Sequence, residues 1–78
     1  MTYIVTTRDV DGTSKRKYAT ANGARARFEE MFGYPIENAV WEMFSDERET
    51  YPAWTDMPYV RGVSNYGCVV SIEREQAQ

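Results

Sequence analysis

The sequence predicts an α+β domain in the order ββα(α)ββ, a small antiparallel sheet with helix packed on one face. Three observations carry that reading. Runs rich in β-branched and aromatic residues bracket a central stretch with helical spacing. Each pair of runs is joined by short turn chemistry, Asp9-Val10-Asp11-Gly12 in the first half and Ser64-Asn65-Tyr66-Gly67 in the second. The 78 residues make one domain, 1–78, rather than two.

Thr2 to Arg8 reads as the first strand, because β-branched residues suit a pleated, half-buried surface. Gly12 permits the positive φ of a tight turn, and Thr13 to Ala19 returns as the second strand. Its Lys15-Arg16-Lys17 run is too charged for a central position and marks an edge, where lysine discourages stray pairing. Thr20 or Asn22 offers a helix cap. Ala21, Ala24, Phe28 and Met31 then form an apolar stripe with Arg25, Arg27, Glu29 and Glu30 on the wet side, and Gly33 suits the helix end. Ile36, Ala39, Val40, Met43 and Phe44 repeat the stripe after Pro35, although Val40 to Phe44 also suits a strand; the helix is the preferred reading. Ser45 to Asp56 is polar and acidic and reads as a loop. Tyr59 to Val63 and Cys68 to Arg74 are the last two strands, with Cys68, Val70 and Ile72 on one face by period two.

A chain this small has a marginal core and usually needs a staple or very good packing. One cysteine, Cys68, cannot form an internal disulfide, and no Cys/His set is present to hold zinc. Packing must do the work, and six Tyr, three Phe and two Trp supply large buried areas. Met1 runs into Tyr3-Ile4-Val5 without a basic leader, and no apolar stretch approaches the ~18 residues of a membrane span. With a lone thiol, the expected compartment is the cytoplasm of the host cell.

The chain has no histidine, which removes Ser/His and Cys/His nucleophile pairs and any histidine base. Cys68 lies in a strand pattern with no activating partner and reads as a packing residue. Asp9-Val10-Asp11-Gly12 begins like a calcium loop but lacks the later bidentate Glu, so it reads as a hairpin turn. No glycine-rich phosphate loop follows a strand. The expectation is a protein that is not an enzyme and uses no cofactor and no metal.

The stretch Trp54 to Ser71 contains Val63-Ser64-Asn65-Tyr66-Gly67-Cys68-Val69-Val70-Ser71. This segment resembles the nuclease-associated modular motif that lies beside the catalytic part of HNH homing endonucleases. The resemblance implies a DNA-contacting β-hairpin and covers roughly a quarter of the chain. It departs at Cys68 and Val70, where that family commonly carries Arg or Lys, and the stretch before the hairpin is shortened to Pro58-Tyr59-Val60-Arg61-Gly62. Ser-Asn-x-Gly is also ordinary turn chemistry between two strands. In size and style the chain resembles the small accessory proteins of phages and mobile elements, anti-CRISPR proteins among them, which implies an inhibitor that works by protein–protein contact.

Net charge is −3, unevenly spread. Residues 1–33 carry six Lys/Arg against four acids, and residues 34–78 carry three Arg against eight acids. Two surfaces follow. The first is acidic and aromatic: Glu42, Asp46, Glu47, Glu49 and Asp56 beside Tyr51, Trp54 and Tyr59. Its carboxylates can imitate phosphates in a basic groove of a nucleic-acid-handling complex, with aromatics as anchors. The same acids also suit a solvated loop, and the same rings suit a core. The second surface would bind nucleic acid directly through Lys15, Arg16, Lys17, Arg25, Arg27 and Asn65, with Tyr18 for stacking. The acidic net charge weighs against it, since affinity for DNA rests on phosphate neutralisation. The expected partner is therefore a protein or nucleoprotein complex, with no membrane.

Overall fold

A computed structural model of the chain describes residues 2–44 and 52–75. Strand β1 (Thr2–Asp9) turns through Val10 and Asp11 into β2 (Gly12–Tyr18), followed by helices α1 (Ala21–Phe32) and α2 (Ile36–Met43). A single 3₁₀ turn (Trp54–Asp56) leads into β3 (Tyr59–Val63) and β4 (Val69–Glu75). The four strands form one sheet in the order β2-β1-β4-β3, antiparallel throughout. The α+β class and the ββααββ order are as the sequence predicts, and residues 36–43 are helix rather than strand.

Local chemistry explains the boundaries. Asp9 Oδ1 accepts the Asp11 N–H at 2.8 Å, closing the first turn, and Gly12 takes φ 132°. Thr20, not Asn22, caps α1: its backbone is extended and its Oγ accepts the Gly23 N–H at 3.1 Å. Gly33 ends the helix in the left-handed region, at φ 90°, donating to the Glu29 carbonyl. Helix α2 has only Pro35 at its cap position and no side-chain cap of its own. The missing acceptor comes from α1, where Glu29 Oε2 takes the Ile36 N–H at 2.6 Å.

Both helices lie on one face of the sheet. Val5, Val60, Val70 and Ile72 from the strands meet Ala24, Phe28, Phe32, Ile36, Ala39 and Val40 from the helices in one buried cluster. In α1 the stripe shifts from its predicted line. Phe32 is buried while Ala21 and Met31 are only partly so, because a residue four positions after Phe28 returns closer to its face than one three positions after. Trp54 closes the cluster from the 3₁₀ turn, with its ring 5.8 Å from that of Tyr3. Cys68 lies just ahead of β4, buried with Val70 and Ile72. No described helix is long and apolar enough to cross a membrane.

Candidate nucleic-acid interface

The pleat sends alternate side chains of each strand away from the helices. Register then decides what meets on that outer face. One row holds Lys17, Ile4, Glu73 and Tyr59; the next holds Lys15, Thr6, Ser71 and Arg61; the third holds Thr13, Arg8, Val69 and Val63. Among the described elements none packs on this face. Arg8, Lys15, Lys17 and Arg61 are exposed there, and Tyr59 keeps 41% of its surface open. A shallow hollow of about 470 Å³ opens on the same side, lined by Arg8, Tyr59, Arg61, Val69 and Ser71 among others.

The electrostatics of this face are opposite in sign to those of the chain. Four cations stand against three carboxylates, Glu73, Glu75 and Asp9, the last of which also lines the hollow, a balance of +1 where the whole sequence carries −3. Lys17 is paired with Glu75 at 3.4 Å. Among the described residues, no carboxylate forms an ion pair with Arg8, Lys15 or Arg61.

The predicted basic set is divided by the fold. Lys15 and Lys17 reach the outer face, whereas Arg16, opposite Val5, points to the helix side. Arg25 and Arg27 lie on α1 and are engaged: Arg25 with Glu29 at 3.3 Å and Glu37 at 2.9 Å, Arg27 with Glu30 at 3.6 Å. Tyr18 is half-buried against the core. Asn65 donates its side-chain amide to the Tyr34 hydroxyl, which ties it to the helix side of the hairpin. Ser64 is wholly occupied by the turn, its Oγ accepting the Cys68 N–H at 3.0 Å and the Tyr66 N–H at 3.3 Å. The Ser-Asn-Tyr-Gly segment thus forms the β3–β4 turn, with Gly67 at φ 83°.

The acidic and aromatic set does not assemble among the described residues. Asp46, Glu47, Glu49 and Tyr51 lie outside them. Trp54 is 9% exposed, a core residue rather than a surface anchor, because a domain this small has few large apolar side chains with which to close its interior. Glu42 and Asp56 are exposed on the helix side, and Tyr59 faces the other way, on the outer sheet face. A groove between the helices and residues 52–55 is lined by Val40, Trp41 and Trp54 together with Arg25 and Glu37. No group of three His, Cys, Asp or Glu placed to hold a metal ion occurs among the described residues.

Arg8 and Arg61 are members of the outer cluster that linear reasoning missed. The signal was present in the alternation, since Arg8 shares parity with Ile4 and Thr6, and Arg61 opposes the buried Val60 and Gly62. Their convergence needed the β1–β4 pairing, which no local pattern specifies. Compared with known proteins, the chain matches no family model, and no curated protein or solved structure is significantly similar to it.

Proposed function

We propose that the chain is a non-catalytic module that docks on a nucleic-acid-handling complex by laying the outer face of its sheet against the nucleic acid. One observation carries this reading: Arg8, Lys15 and Arg61, spread over β1, β2 and β3, share one open face without carboxylate ion-pair partners among the described residues. The local field, not the net charge, governs a contact within a Debye length of about 8–10 Å. Neutralising about three phosphates gives weak, salt-sensitive binding on its own. A nucleoprotein partner would add protein contacts to that term.

The test is equilibrium binding of labelled oligonucleotides, single-stranded and duplex, at 50 mM salt, using wild-type protein and an Arg8→Glu/Arg61→Glu variant. Micromolar affinity that falls with salt and disappears in the variant is expected. Binding to neither form, or binding that the variant leaves intact, overturns the reading.

A further inference from the structure

We infer that the occupant of the outer face is a single strand, with one base stacked on Tyr59 and the flanking phosphates on Arg61, Arg8 and Lys15. The inference rests on the reading above and makes it specific. Tyr59 and Arg61 are two residues apart on β3 and line one hollow, so an aromatic face and a guanidinium are offered side by side. Ser71 and Thr6 join Arg61 to Lys15 in a single row across the sheet. Three strand spacings of about 4.8 Å separate the ends of that row, roughly 14 Å in all. Arg8 sits one row further along, towards the hairpin turns. The cations therefore form a shallow arc across the strands, Arg61 and Lys15 in one row with Arg8 one row off between them, a track for a backbone rather than a pocket for an isolated phosphate.

The same width argues against insertion into duplex DNA. A major groove about 12 Å wide accepts a helix or a two-stranded ribbon, and this face presents four strands. Nor would Tyr59 find a base face in an intact duplex, where bases are stacked on one another. In a single strand the base can turn out and stack on an aromatic side chain, while the backbone follows the positive track.

The experiment compares twelve-nucleotide single strands of DNA and RNA with the corresponding DNA duplex by fluorescence anisotropy at 50 mM salt. Protein variants are Tyr59→Phe, which keeps an aromatic face, and Tyr59→Leu, which keeps apolar bulk without one. Circular dichroism confirms that each is folded. Single strands should bind at least about tenfold more tightly than duplex, with a log–log salt slope near −2 for about three phosphates. Tyr59→Phe should bind as wild type, and Tyr59→Leu should lose about fivefold or more, the range expected for one stacked base. Duplex binding equal to or tighter than single strand overturns this inference while leaving the proposed function standing, as does wild-type affinity in Tyr59→Leu. Absence of binding to all three nucleic acids overturns both.

Discussion

Gly62 lies against the ring of Phe32, so closely that a Cβ at position 62 would come within 2.7 Å of Cε1 and 2.9 Å of Cδ1. The ring cannot easily yield, because it is wedged between Phe28, 5.3 Å away by ring centroid, and Tyr34, 5.5 Å away. Glycine normally weakens a strand relative to alanine, but here the clash outweighs that propensity. Gly62→Ala should cost about 1–3 kcal/mol, as overpacking does, measured by urea denaturation. Adding Phe32→Leu to Gly62→Ala should cost less than the two separate losses combined. Gly62→Ala with a wild-type midpoint would contradict this packing.

Phe28 is fully buried at the centre of the helix–sheet contact. Phe28→Ala should lose about 3–5 kcal/mol. In a domain this small, each kcal/mol shifts the melting temperature by about 4–8 °C, so the variant should melt far below wild type or show no cooperative transition in a calorimetric scan.

Glu29 acts on two helices, pairing with Arg25 on its own and accepting the first amide of α2 on the next. Glu29→Ala leaves that amide without its acceptor and should cost about 1–2 kcal/mol. Glu29→Gln keeps an acceptor oxygen and should recover part of the loss. Hydrogen exchange at the Ile36 amide reports the contact directly, and protection unchanged in Glu29→Ala would refute it.

Ser64 and Gly67 form the β3–β4 turn through hydroxyl acceptance and a positive φ. Ser64→Ala should cost about 1 kcal/mol or more, because the Cys68 amide is buried, and Gly67→Ala about 1 kcal/mol from strain. Asn65→Ala should leave nucleic-acid affinity unchanged, since its amide is held by Tyr34. Thermal melts and anisotropy on the same three variants check both halves of this prediction.

Lys15 and Arg25 are both basic, yet they lie on opposite sides of the sheet. Lys15→Ala should weaken oligonucleotide binding and reduce the magnitude of the salt slope by about 0.7 for one lost single-strand phosphate contact. Arg25→Ala should leave affinity and slope unchanged and cost below about 1 kcal/mol of stability, as expected for exposed ion pairs. Equal losses of affinity in the two variants would show a diffuse charge effect instead of a sheet surface.

Much of the architecture was legible in residue order. The turn residues of both hairpins, the charged edge of β2, the Ala24–Phe28 stripe and the helical preference of residues 36–43 are local signals, written in spacing and backbone chemistry. Trp54 was not legible, because one aromatic residue in a polar stretch has no period to assign it a side. Sequence order groups the basic residues by neighbourhood, Lys15 to Lys17 and Arg25 to Arg27. The structure groups Lys15 with Arg8 and Arg61, partners set by strand order and register. Glu29 likewise falls on the wet side by helical spacing alone, since its cap partner belongs to a different helix.

The central ladder of the sheet joins β1 to β4, so Thr2 is matched with Glu75 and Arg8 with Val69. The two hairpins close over short loops, but this ladder must bring distant parts of the chain together, and loop-closure entropy is spent before its contacts form. The rate-limiting event in folding is therefore expected to be the joining of two preformed hairpins, with the helices supplying the apolar surface on which they meet. Until that moment the inward edges of β1 and β4 are unpaired, and a slow join leaves two strand edges open to intermolecular pairing. Yield on refolding should consequently fall with protein concentration more steeply than native stability alone would suggest.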